Sequence, residues 1–230
     1  MAIFTDEEFG EVTLRRSAKA SHVRIRVGPD GRLRASLPLY APLFLVKRLI
    51  RSSRSELRTL LAQHQEGSDY EHGMQIGKSH TLIVRETPGN LACKRHGQQI
   101  VVSLPSDRTL RDHDVIRLVQ KTTGEALRIE SKAYLPKRLA FLADKHDFVY
   151  EKVRFSHASG RWGSCSSNGT ISLNIALMKL PFELIDYVII HELCHTVHMN
   201  HSDEFWKLVG MAEPSYQIHR RRLKNENPSI

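Results

Sequence analysis

Cysteine is scarce in this sequence: Cys93, Cys165 and Cys194 are the only three, scattered and with no C-x-x-C spacing. That number and spacing exclude a disulfide framework and argue against a zinc site built on cysteines. Long apolar runs are also missing. None reaches the roughly 18 residues of a membrane span, and the acidic opening MAIFTDEEFGEV has no signal-peptide core, so a soluble, cytoplasmic protein without a membrane partner is expected. Internal repeats, low-complexity tracts and a G-x-x-x-x-G-K-[ST] loop are absent too, the last removing the commonest nucleotide-phosphate cradle.

What is present is enough chain for a full core: 230 residues with 40% hydrophobic content, room for one large or two small domains. The formal charge of +9 is large for this length and suits polyanionic partners, nucleic acid or nucleotide, although many solvated basic surfaces bind nothing in particular. Much of the excess lies between residues 11 and 60, where Arg15, Arg16, Lys19, Arg24, Arg26, Arg32, Arg34, Lys47, Arg48, Arg51, Arg54 and Arg58 face only Glu11, Asp30 and Glu56. Within it HVRIRV and RLRASL alternate basic and apolar side chains around Gly28-Pro29-Asp30-Gly31, which predicts a hairpin with one basic face. No stacking aromatics interleave those arginines, which argues against a platform for single-stranded nucleic acid.

Pro42 opens an amphipathic helix expected to run to about His64, and a polar link covers residues 65–72. Strands are predicted at about 74–77, 80–86 and 98–104, the last closed by Pro105. From Leu110 to His146 the pattern is helical, with Pro136 marking a kink or a fresh start. FVYEKVRF (148–155) and Thr170–Asn174 read as strands separated by the turn Ser166–Gly169. An edge strand beside a catalytic helix can bind an extended peptide by backbone pairing, and residues 170–174 are the expected candidate, with Ile171, Leu173 and Asn174 as substrate-facing candidates; Asn174, at the strand's end, is read equally as a turn-forming residue or one that orients the helix or the metal ligands.

The chain turns on PFELIDYVIIHELCHTVHMNHSDEFW, residues 181–206. Pro181 suits a first helical turn, and Leu184, Val188, His191 and His195 fall on one helical stripe. Residues four apart on a helix stack on one face, so His191 and His195 present two imidazoles to one point, the bite a zinc ion needs. Glu192 flanks that point, where a carboxylate can serve as general base without ligating the metal. For the third ligand, His198 would lie about 10 Å along the axis from His191 if the helix continued, too far to share an ion. His201 suits better if the helix ends first, and Met199-Asn200 offers an ending through a left-handed Asn200. Ser202 then reads as the N-cap of a new helix in which Phe205 and Trp206 hold His201 in place. Cys194 faces away from His191, so three protein ligands and an open fourth position, the catalytic pattern, are expected. His198 is read as a surface or supporting histidine or a substrate contact. Tyr216, His219, Arg161 and His198 are candidates to stabilise an oxyanion.

Two blocks, RWGSCSSNGTISLN and YVIIHELCHTVHMNHSDEFW, together with PSYQIHRRRL, resemble the YgjP-like family of zinc metallopeptidases, more distantly the SprT-like and WLM metalloproteases. More loosely the similarity covers the early hairpin and YEHGMQIGKSHTLIVRE. The resemblance implies one zinc ion per chain held by His191, His195 and His201, a catalytic Glu192, and protein or peptide substrates. The ligand spacing is also that of metzincins, but His198 stands where the metzincin turn has glycine. The fold expected is α+β: an antiparallel β-rich region with a helix (residues 1–105), then a zincin-like helical metallopeptidase domain with a short active-site sheet (106–230). Two rival functions remain at this stage: a metal-dependent nucleoside triphosphate pyrophosphatase, an activity also attached to the family, and a nucleic-acid-associated module with a structural zinc. Oligomeric state is not legible.

Overall fold

The computed structural model describes residues 2–18, 20–28, 31–66, 70–228 and 230. Pro29 and Asp30 of the predicted turn, Lys19, and residues 67–69 of the predicted link lie outside the described residues. The fold is a mixture of α and β elements, and it divides into two compact units, Met1–Tyr70 and Glu71–Ile230. That division precedes the strands expected to end an N-terminal region at residue 105.

In the first unit β1 (Ala2–Asp6), β2 (Gly10–Arg16), β3 (Arg24–Val27) and β4 (Leu33–Leu37) form a sheet in the order β1-β2-β4-β3. The predicted hairpin is β3–β4, antiparallel, but β4 pairs with β2 in parallel, so the sheet is mixed, not antiparallel as expected. Alternation tells which face of a strand is buried and carries no information on the direction of its neighbour. The inner face puts Val12, Leu33, Ala35 and Leu37 against Val46, Ile50 and Leu57 of α1 (Leu43–Ser52) and α2 (Arg54–Glu66). The single helix expected here breaks at Ser53.

The second unit opens with β5 (Gln75–Ile76), β6 (His80–Thr87), β7 (Ala92–His96) and β8 (Gln99–Pro105), in the order β5-β6-β8-β7 with β6 and β8 parallel. This repeats the topology of the first sheet, two hairpins joined through their second strands. α3 (His113–Lys145) follows as one 33-residue helix that continues through Pro136 without a fresh start. The carbonyl that Pro136 deprives of a partner belongs to Lys132, on the exposed side of the helix, where solvent can satisfy it. Buried Ser131, Leu135 and Leu139 keep the inner side continuous.

A three-stranded sheet comes next, ordered β10-β11-β9, from β9 (Lys152–Ser156), β10 (Gly163–Cys165) and β11 (Thr170–Asn174). A 3-10 turn (Ile175–Lys179), α4 (Phe182–Cys194), α5 (Asp203–Ala212) and α6 (Tyr216–Leu223) complete the chain. α3 packs against the 3-10 turn and α4. No helix among the described residues is long and apolar enough to cross a membrane.

Candidate metal centre

Two anchors fix α4. At the first, the β5–β6 turn folds onto the carboxylate of Glu130 in α3, which accepts hydrogen bonds from the Lys78 and Ser79 amides (2.7 and 2.9 Å), the Ser79 hydroxyl (2.7 Å) and Nδ1 of His80 (2.6 Å). Burial would favour the neutral acid, yet these donors outweigh it and hold the Glu130 carboxyl below its ordinary range. Gly77 sits in the left-handed region (φ 62°), and a Cβ there would lie 2.2 Å from Oε2 of Glu130. From the same turn Lys78 donates to the Leu180 carbonyl and lies 4.5 Å from the centroid of the Phe182 ring, at the entry to α4. Phe182 is half exposed. At the second anchor Arg138 of α3 grips Asp186 of α4 with two bonds of 2.7 and 2.6 Å.

The last turn of α4 carries His191 and Glu192. The helix then closes through tight turns: the amides of Thr196, Val197 and His198 return to the carbonyls of Leu193 and Cys194. The ending therefore falls a turn before Met199-Asn200, and Asn200 does not take the left-handed conformation expected of it; Asp147 is the one described non-glycine residue with positive φ. The chain turns back, Ser202 accepts from the Phe205 amide (3.4 Å) as the cap of α5, and His201 is carried to the site.

The three expected imidazoles are brought together. One ring nitrogen from each of His191, His195 and His201 lies within 4.8 Å of the other two, and Nε2 of His201 is 3.2 Å from Nε2 of His191. A tetrahedral zinc with Zn–N bonds of about 2.0–2.1 Å places neighbouring ligand nitrogens about 3.4 Å apart, so the facing nitrogens suit a shared ion. Nδ1 of His195 bonds the His198 carbonyl (2.9 Å), which assigns that nitrogen the proton and leaves Nε2 its lone pair. His198 thus meets the site through its backbone. Nδ1 of His191 is buried without a partner. Burial, then the charges of His195, His201 and Arg220, push His191 down to about 3, and burial likewise lowers His195, so neither ring must shed a proton to act as a ligand at neutral pH. Among the described residues no fourth His, Cys, Asp or Glu joins the group; Cys194 is buried elsewhere on α4.

Phe205, fully buried, touches all three rings, with centroids 5.0 Å from His191, 4.4 Å from His195 (stacked) and 4.9 Å from His201. Trp206 stacks on His201 at 5.6 Å, Tyr216 stacks on Trp206 at 5.6 Å, and the Arg220 guanidinium lies 4.4 Å from the Trp206 centroid.

Glu192 is 5% exposed, and its Oε2 is buried with no hydrogen-bond partner. Burial pushes its carboxyl up to about 8, against the opposing pull of Arg161. Its neighbour is the backbone of β10: a Cβ on Gly163 would lie 2.6 Å from Oε1 of Glu192 and 2.7 Å from its Cγ. Only glycine lets the strand come this close. Gly163, Lys78, Glu130 and Asp186 escape a reading by motif; the signals available were a glycine beside Trp162 and a lone carboxylate on the apolar face of α3.

The expectation for the substrate strand needs correction. β11 is central, antiparallel to β10 and parallel to β9, and therefore offers no edge. Ile171 and Leu173 are fully buried in the core. Asn174 is buried as well: its Oδ1 caps the 3-10 turn at the Ala176 amide (3.0 Å), and its Nδ2 donates to the carbonyls of Ala158 and Arg161 (2.7 and 2.9 Å). The edge strand against α4 is β10. Trp162 and Ser166 bond inward to β11, through Asn174 N to Trp162 O (2.8 Å) and Ser166 N to Thr170 O (3.0 Å), so alternation turns the backbone groups of Gly163 and Cys165 to the free edge.

The model of the YgjP-like metallopeptidase domain matches residues 21–226. The chain therefore belongs to the YgjP-like metallopeptidase family, whose members act on peptides or proteins with a bound metal, usually zinc. Among solved structures, the crystal structure of the metallopeptidase zymogen abylysin from Pyrococcus abyssi is similar at 27% identity, with a TM-score of 0.35, over 39% of this chain and 92% of that one. No curated protein matches.

Proposed function

We propose that the protein is a zinc-dependent peptidase of zincin-like architecture, with His191, His195 and His201 as the ligands and Glu192 as general base and acid. One observation carries the reading: three imidazole nitrogens converge, and the residue that follows the first of them, Glu192, holds a buried carboxylate oxygen with no hydrogen-bond partner. When bound, zinc supplies Lewis acidity and makes a neighbouring water acidic enough to lose a proton near pH 7. Oε2 of Glu192 takes that proton and returns it to the leaving amine, a role open to a carboxylate oxygen that has no other hydrogen-bond partner. The outward amides and carbonyls of Gly163 and Cys165 pair with an extended peptide, which lays the scissile bond beside Glu192. His198 serves by fixing the tautomer of His195, and Tyr216 by backing Trp206 against His201, so neither needs to touch substrate.

The test is Glu192→Gln in zinc-loaded protein, assayed on casein and a peptide library with metal content measured on the same samples. Zinc should remain at one equivalent while hydrolysis falls at least a hundredfold. Equal residual hydrolysis by wild type and mutant defeats the assignment.

A further inference from the structure

The metal centre leaves the charge of the first unit unexplained. Its helices cover one face of the sheet, and the other face is open and basic. Register sets the side chains of that face in rows: Arg15 of β2 and Arg24 of β3 both stand opposite Ser36 of β4, and one two-residue step along β4 Arg26 stands opposite Arg34. All four arginines are exposed. Neighbouring strands lie about 4.8 Å apart and a two-residue step covers about 7 Å, so four guanidiniums share a patch of molecular-contact size.

Beside the first row is a cavity of about 310 Å³, lined by Arg15, Ser17, Ser21, His22, Arg24 and Ser36 among others, none of them acidic. His22 orders it. Nε2 of His22 accepts from Nε of Arg24 (2.8 Å), and Nδ1 of His22 faces the Ser21 hydroxyl at 2.9 Å. Nε is thereby occupied, and the two terminal nitrogens of Arg24 are left as a fork for an oxyanion. Three acids of this unit are paired with other arginines: Glu11 with Arg32 (2.6 Å), Asp6 and Glu8 with Arg54, and Glu8 also with Arg58.

We propose that this face binds the phosphodiester backbone of a nucleic-acid duplex without regard to sequence, with one phosphate seated in the Arg15–Arg24 cavity. The arginine rows carry no Phe, Tyr or Trp to stack on an unpaired base, and among the described residues the row of Arg26 and Arg34 reaches one exposed apolar side chain, Ile3 beyond Thr13, too little to enter a bilayer, which favours phosphates of a duplex over single strands or membranes. The site is independent of the peptidase reading and of any bound metal.

The experiment is fluorescence anisotropy of the full chain with a labelled 20-base-pair duplex across a salt series. Four phosphate contacts give a slope of log affinity against log salt of about −3.6 or steeper. In R15A/R24A/R26A/R34A that slope should flatten by about 3.6, with affinity near 0.1 M salt falling at least a hundredfold. R48A/R51A, on the helix side, should bind as wild type does. The four residues point to solvent, and a far-UV CD melt checks that the variant is folded; should it not be, the wild-type slope and the paired variants R15A/R24A and R26A/R34A decide. A wild-type slope shallower than about −2, an unchanged slope in the variants, tighter binding to a single strand of equal length, or retention by anionic vesicles without duplex binding each overturns the proposal.

Discussion

The contact between Gly163 and Glu192 makes a sharp prediction. In Gly163→Ala the new methyl would stand 2.6, 2.7 and 2.8 Å from Oε1, Cγ and Cδ of Glu192, where ordinary contacts begin at 3.4 Å. Neither side can yield easily: Gly163 is held opposite Leu173 by the antiparallel ladder, and Cγ is anchored close to the helix backbone, so the carboxylate must swing away by the better part of an ångström. Overpacking of this kind costs about 1–3 kcal/mol of stability. A reacting group displaced by about 1 Å loses about a hundredfold in rate, equivalent to about 2.7 kcal/mol of barrier. The three histidines are untouched, so zinc content should not change. The assay is kcat/KM of zinc-loaded protein on a fluorogenic peptide pool, with metal analysis and a thermal melt of the same preparation. A folded, zinc-replete Gly163→Ala within about threefold of wild type would refute the claim that β10 sets the position of the base.

Glu130→Gln should cost about 2–4 kcal/mol in urea denaturation, because an amide cannot accept from the full set of donors that converge on the carboxylate. The folded carboxyl titrates below its unfolded value, so its contribution is complete above about 4.5 and is lost as pH falls through the folded value; the stability gap between wild type and Glu130→Gln should narrow on acidification. A gap constant from pH 7 to 3 would remove Glu130 as the clamp of the β5–β6 turn. Phe205→Ala should cost about 3–5 kcal/mol. It should also weaken zinc binding about 10–100-fold in chelator competition, since the phenyl holds all three ligand rings. Unchanged zinc affinity in that variant would reduce Phe205 to a core residue.

Local rules determined much of this protein. The four-residue spacing of His191 and His195, the capping serine at 202, the aromatic pair behind His201 and the basic hairpin all follow from helix and strand periodicity, which a sequence carries explicitly. Where neighbours had to be known, local rules ran out. Alternation in residues 170–174 marked a strand but could not say that it would be flanked on both sides, which transfers the free edge to Gly163–Cys165 and buries Ile171, Leu173 and Asn174. Pro136 reads as a kink or a fresh start because nothing local tells that Lys132, whose carbonyl it orphans, stands on the exposed side of the helix. Glu130 and Gly163 look unremarkable as letters, since their roles exist only where a turn 51 residues away and a helix 29 residues away close upon them. The two four-stranded sheets share one strand order with no repeat visible in the sequence, because topology is set by which hydrophobic faces dock, and many sequences satisfy the same docking. Spacing along the chain fixed which residues could hold a metal; long-range packing decided how the helix ends, which edge is open, and where the carboxylate points.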